Sequence, residues 1–177
     1  TVKHALERRA AGAAGLAIDV GCGSGNDTVD MLRAGWSVFG FDSNETGLAL
    51  LLDKAAEIEG AQLQVVHADF QNCVLPEADW VNASFSLPFC PPDYFPEFWT
   101  KLRKSLKPEG MFSGHFFGPK DSWADRNLTI FNRQDLETLF ADDNVVYFHE
   151  RDEDGEAANY GEKHWHIFEV VFDNSKV

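Results

Sequence analysis

The sequence predicts an α/β fold: a three-layer sandwich whose mostly parallel seven-stranded sheet ends in a C-terminal antiparallel hairpin. Three observations predict it. Short β-type runs alternate with helical patterns, the order expected of a parallel sheet covered by helices. A glycine-rich stretch, GCGSG, follows directly on the first apolar run. The tail, NVVYFHERDEDGEAANYGEKHWHIFEVVFD, reads as two long strands separated by an acidic, glycine-containing loop.

Taken in order, strands are expected at residues 17–20, 37–41, 63–67, 80–84 and 111–117, and helices at 3–10, 27–34, 45–58, 92–106 and 133–140. Gly35 stands where the first crossover helix should stop, and Asn44 where an N-cap belongs before ETGLALLLDKAAEIEG. Phe95, Phe98 and Trp99 give the helix at 92–106 an apolar face to lay on the sheet. Pro108-Glu109-Gly110 is a turn leading into the fifth strand. The connection from His67 to Trp80 is short and leaves little room for a regular crossover helix. The acidic run at 150–156 is assigned to the loop of the terminal hairpin.

With 177 residues the chain has the size of one domain with a single sizeable core. A content of 44% hydrophobic and 25% charged residues is that of a globular protein, so disorder is confined to the ends. The net charge of −14 argues against a nucleic-acid partner, since phosphates would be repelled. Three widely spaced cysteines, Cys22, Cys73 and Cys90, form no CxxC pair and no zinc-type cluster. Together with the lack of any apolar run of membrane-spanning length, they point to a reduced, cytoplasmic setting. The opening TVKHALERRAAGAAGLAIDV loosely imitates a signal peptide, but Glu7 and Asp19 spoil the pattern. Because the first residue is Thr, the native start is expected to lie upstream.

The glycine loop carries the first functional signal. In a doubly wound sheet, ligands bind where the strands end and the topology reverses. Gly21, Gly23 and Gly25 lie just past the first strand, where bare backbone permits a tight turn and close approach of a ligand. A nicotinamide-binding loop reads GxGxxG, but the residue three after Gly23 is Asn26. Asp19, two residues before the first glycine, would repel a diphosphate and suits a ligand bearing an ammonium or sulfonium charge.

AIDVGCGSG resembles the first motif of class I S-adenosylmethionine (SAM)-dependent methyltransferases. That resemblance implies a Rossmann-like fold and SAM as cofactor, with S-adenosylhomocysteine (SAH) as product. It places Asp19, Gly21, Cys22 and Gly23 against the cofactor. VFGFDSN then supplies Asp42, with Ser43 beside it, for the ribose hydroxyls. VVHADF supplies Asp69 for the adenine amino group and Phe70 for a backbone contact to the ring. The fourth strand brings Ser84 near the methionine portion. Each residue also has an ordinary reading: Asp42 as a helix cap, Asp69 as a turn acid, Cys22 as a small loop residue. It is their order at successive strand ends that discriminates. More narrowly, GCGSGNDTVDMLRAGWSVFGFDSN, ASFSLPFCPPDYFPEFW and KHWHIFEVV resemble the tellurite-resistance and thiopurine methyltransferase-like group, which implies a small-molecule methyl acceptor.

Methyl transfer from a sulfonium needs orientation and exclusion of water more than a catalytic triad. The acceptor class is a thiol, an amine or a chalcogen oxyanion, and one that is already nucleophilic, such as a thiolate, an amine or a reduced chalcogen, needs no dedicated base. Phe85, Leu87, Phe89 and Cys90 follow the fourth strand and are assigned to the acceptor pocket, with Trp123 on the loop after the fifth strand as part of a lid. His115, near the end of that strand, is the candidate general base; a hydrogen-bonded strand histidine is the plainer alternative. His164 and His166 share one face of the last strand, and no metal site is assigned to them. The expected protein is therefore a methyltransferase for a small acceptor, with no nucleic-acid or membrane partner, acting as a monomer or homodimer. A non-catalytic SAM-binding sensor is the alternative, and a nicotinamide oxidoreductase a distant third.

Overall fold

The computed structural model describes residues 1–8, 15–157 and 161–174. Seven strands form one sheet: β1 (Leu16–Val20), β2 (Ser37–Asp42), β3 (Gln62–His67), β4 (Ala78–Ala83), β5 (Leu106–Phe117), β6 (Asn144–Ala157) and β7 (Gly161–Asp173). Their order is β3-β2-β1-β4-β5-β7-β6. The first five run parallel, β7 lies antiparallel beside β5, and β6 closes the edge antiparallel to β7. The chain builds outward from β1 through β2 to β3, then returns to β4 on the other side of β1. A crevice therefore opens at the carboxyl ends of β1 and β4.

Among the described residues five α-helices cover the sheet: α1 (Val2–Arg8), α2 (Asn26–Arg33), α3 (Glu45–Ala56), α4 (Phe95–Ser105) and α5 (Arg133–Leu139). Helices α1 and α2 pack on one face around Met31, Trp36, Val38 and Trp80, and α3 adds Ala55 there and a small cluster of Leu48, Leu51 and Cys22. Helices α4 and α5 cover the opposite face, where Phe98, Phe112, Phe116, Phe168 and Phe172 make an aromatic core. The predicted caps form where expected: the Asn44 side chain accepts from the Gly47 N–H at 3.1 Å, and the connection from β3 to β4 contains no helix. None of the described helices is long and apolar enough to cross a membrane.

Three expectations need correction. The acidic run at 150–156 is not a hairpin loop; it belongs to β6 and pairs residue by residue with β7, from Glu150 opposite Phe168 to Glu156 opposite Glu162. An edge strand tolerates such charge because one side of its ladder faces water. The fourth helix begins at Phe95 rather than Pro92, since 91–94 form a turn closed by the Tyr94 and Phe95 N–H groups on the Pro91 carbonyl. Pro108-Glu109-Gly110 does not precede the fifth strand but bulges out of it, with Glu109 at a φ of 60° and Asn174 exchanging backbone hydrogen bonds with Glu109 and Gly110. The predicted helix 3–10 runs past Arg8 into positions outside the described residues.

Candidate active site

The crevice holds two adjoining cavities. The larger, about 380 Å³, is lined by Gly21 after β1, Asp42 and Ser43 at the end of β2, Asp69 and Phe70 after β3, and Phe85, Ser86 and Phe89 after β4. Four successive strand ends thus converge on one space. Asp42 accepts the Gly23 N–H on Oδ2 and the Asn44 N–H on Oδ1, each at 2.8 Å, so the acid braces the glycine loop while bordering the cavity. Asp69 takes both its bonds from Asn72 on Oδ1, the backbone N–H at 2.8 Å and the side-chain amide at 2.7 Å. Gly21 has a φ of +65°, and a Cβ there would lie 2.6 Å from Cβ of Ser86, so this position requires glycine on both counts.

The smaller cavity, about 240 Å³, is lined by Asp19, residues 21–27, Ser84 and Phe85. Asp19 is buried and accepts from Thr28 Oγ1 at 2.5 Å and from Asn82 Nδ2 at 2.9 Å. Burial pushes its carboxyl up from 3.8 to about 7, with the Thr28 and Asn82 bonds opposing and the charges of Asp27 and Asp42 adding to the rise. Cys22 borders this cavity, but burial beside Asp19 and Asp42 raises its thiol far above neutrality, so it is not a thiolate.

Gly21 and Phe85 border both cavities. Phe85 has a φ of 51°, unusual for a bulky residue, and remains 41% exposed. Its ring stacks on the His115 imidazole, with centroids 4.1 Å apart. His115 is 5% exposed, its Nδ1 lacks a hydrogen-bond partner among the described residues, and burial lowers its pKa to about 3. Phe89, 48% exposed, meets Phe117 and Trp123 edge to face, and Trp123 packs against Trp165. Two residues assigned to the acceptor pocket lie elsewhere: Leu87 and Cys90 are fully buried in the aromatic core, the short 3₁₀ turn Leu87–Phe89 pointing Leu87 inward and Phe89 outward. The crevice thus offers carboxylates on its sheet side, bare backbone at its centre and aromatic rings at its mouth.

A family described as "Methyltransferase domain" matches residues 17–110, more than half of the chain and the whole span from β1 into β5. The chain belongs to the methyltransferase-domain family.

No curated protein matches the sequence. Among solved structures, TehB from Haemophilus influenzae superposes with a TM-score of 0.82 at 14% identity, covering 98% of this chain and 61% of TehB. The methyltransferase domain described here therefore spans about three fifths of that protein's length. The 1,6-didemethyltoxoflavin-N1-methyltransferase of Burkholderia thailandensis, with SAH bound, gives 0.72 at 18% identity and covers 99% of this chain and 77% of its own. N-methyltransferase NodS from Bradyrhizobium japonicum, also with SAH, gives 0.71 at 13% identity, covering 92% and 80%. At such identities the likeness is one of fold.

The structure also brings into the crevice of this methyltransferase domain residues that the sequence reading passed over. Asp27 sits in the first turn of α2 and borders the smaller cavity. Ser86 borders the larger one with a buried hydroxyl that has no partner among the described residues. Trp165 packs against Phe85, which borders both cavities, and against Trp123 behind it. Asp27 and Ser86 stand next to motif residues, which is the signal that was available. Trp165 lies in the KHWH stretch, but its place beside Phe85 follows from strand pairing rather than from any local signal.

Proposed function

We propose that this chain binds S-adenosylmethionine and transfers its methyl group to a small-molecule nucleophile. One observation carries the reading: Asp42, Asp69 and the side-chain-free bend at Gly21 border a single cavity at the switch point of the sheet. The residues fit the cofactor. Asp42 has the acceptor capacity for a ribose diol, Asp69 keeps Oδ2 for an exocyclic amine, and Asp19 offers a buried carboxyl to a cation. Ser84 and Phe85 border the cavity nearest that carboxyl. The cofactor, when bound, supplies an electrophilic methyl group on a sulfonium.

The protein's own share is orientation and exclusion of water. Phe85, next to both cavities, offers a ring face toward positive charge, and Phe89 and Trp123 shield the mouth. His115 is held neutral and weakly basic under Phe85, so the reading favours an acceptor that is nucleophilic without prior deprotonation: an amine, a thiolate or a reduced chalcogen. Three free, buried cysteines fit a reducing compartment. Titration calorimetry with SAM and SAH tests the cofactor assignment, and no binding by folded protein would refute it. Release of SAH across a panel of thiols, amines and chalcogen oxyanions tests the transfer. Cofactor binding with no turnover on any of them would turn the reading to a SAM sensor.

A further inference from the structure

Asn82, on β4, is a buried amide that no motif accounts for. Its Nδ2 donates to two carboxylates from different elements, Asp19 Oδ1 of β1 at 2.9 Å and Asp27 Oδ2 of α2 at 3.1 Å. The orientation of this amide is set by the acids, whose carboxylate oxygens accept and so call for its NH₂. Its Oδ1 then faces the opposite way and accepts from Ser113 Oγ at 2.8 Å. Ser113 Oγ in turn accepts the Trp80 indole N–H at 2.9 Å. A directed chain of hydrogen bonds thus runs from the core of the sheet, through β5 and β4, to a pair of acids.

Both acids border the smaller cavity, and none of the residues bordering it is a Lys or Arg. A cation entering the cavity meets the carboxyl groups of Asp19 and Asp27 with no lining Lys or Arg to oppose it, and it favours the ionised form of the buried Asp19, so the cavity favours a cationic guest. We propose that Asn82 is a positioning residue that holds Asp19 and Asp27 as a two-carboxylate clamp for the α-ammonium group of the bound nucleoside's amino-acid arm. The clamp rests on the proposed function for the identity of that ligand. Asn82 itself touches no ligand; it sets the spacing of the two groups that do. Replacing it with an isosteric apolar side chain releases both carboxylates and leaves the ribose end at Asp42 as it was.

The experiment compares SAH with 5′-deoxy-5′-methylthioadenosine, which keeps the nucleoside and lacks the amino-acid arm. Calorimetry is run on the wild type, Asn82→Leu and Asp27→Asn, with thermal unfolding of each to establish that it is folded. Asn82 is buried, so Asp27→Asn, at a partly exposed site, serves as the variant that does not disturb the core. SAH affinity is expected to fall on the order of 10- to 100-fold in both variants, as for loss of a hydrogen-bonded charge contact, with methylthioadenosine affinity changed less than about threefold. An equal loss of both ligands would show a merely structural role and overturn the proposal, as would SAH affinity unchanged in Asp27→Asn. A wild type that binds neither ligand would refute the cofactor assignment itself, an outcome separate from a wild type that binds both while the variants lose nothing.

Discussion

The pH dependence of cofactor affinity follows from Asp19. Its carboxyl lies in the interior with a pKa raised from 3.8 to about 7, burial being the main cause. Without a cation beside it, Asp19 keeps its proton through the acidic range. An ammonium at the smaller cavity binds the ionised form, so below pH 7 each binding event must expel one proton. Linkage then requires affinity to fall about tenfold for each pH unit below 7, or ~100-fold between pH 7 and pH 5, and to level off above 7. Calorimetry at pH 6 in two buffers of different ionisation enthalpy reads the released proton directly. Asp19→Asn should flatten the profile. A flat wild-type profile, or the same slope in Asp19→Asn, would refute the assignment of that carboxyl to a cation. The same shift has a signature in the ligand-free protein. Between pH 3.8 and about 7 the unfolded chain has lost this proton while the native state holds it, so stability falls as pH rises across that window. The loss is about 1.4 kcal/mol per pH unit, on the order of 4 kcal/mol in all. The difference between wild type and Asp19→Asn in denaturant unfolding isolates it from other titrating groups.

Three further predictions concern the frame of the site. Asp42→Ala removes the acceptor of the Gly23 and Asn44 N–H groups along with the proposed ribose contact, and should weaken SAH binding by about 10- to 100-fold in calorimetry; a change under threefold would show the ribose to lie elsewhere. Gly25→Ala places a Cβ 2.3 Å from Leu51 Cδ1 at a φ of +83°, and should cost about 2–4 kcal/mol in denaturant unfolding; a loss under about 0.5 kcal/mol would mean the loop relaxes freely. Lys163→Met leaves Asp121 buried with, among the described residues, only the N–H groups of Trp123 and His166 as hydrogen-bond donors, and should cost about 3–5 kcal/mol, most of it recovered in the double variant with Asp121→Asn. No recovery would show that packing, not charge, is what Lys163 supplies.

The parallel half of the fold was legible because its signals are local. Apolar runs, the stop at Gly35, the cap at Asn44 and the glycine bend all act within a few residues of where they are written. Asp19, Asp42 and Asp69 were legible for the same reason, the first two lying at the carboxyl ends of β1 and β2 and the third two residues beyond β3. What the sequence hid depends on register or on side-chain direction across the sheet. Leu87 and Phe89 are two residues apart, yet one enters the core and the other the crevice mouth, because a 3₁₀ turn separates them. Glu150 and Asp152 look like loop residues until the pairing of β6 with β7 sets them opposite Phe168 and His166. Asn82 became visible only once Trp80, Ser113 and the two acids surrounded it.

The motif KHWH, to which the sequence assigns no metal site, is occupied by other contacts in the structure. Paired histidines on one strand face invite thoughts of a metal, but in the structure every polar side chain of the motif is spent on scaffolding. Lys163 pairs with Asp121 and sits with its ammonium 4.1 Å from the ring centroids of both Trp123 and Trp165. His166 accepts the Lys120 N–H on Nδ1 and meets Glu150 through Nε2, while His164 is held between Asp152 and Asp154, which raise its pKa. The backbone does the same: Gly118 and Ser122 donate to the carbonyls of His166 and His164. All of these bonds either fasten the loop that follows β5 or tie β7 to the acidic edge strand. That loop carries Trp123, and Trp123 with Phe89 walls the mouth of the crevice. Placing β7 between β5 and β6 puts the motif within reach of the loop on one side and of acidic partners on the other. The charge on β6, which has no role as a hairpin loop, is what holds the histidines of the inner strand in place.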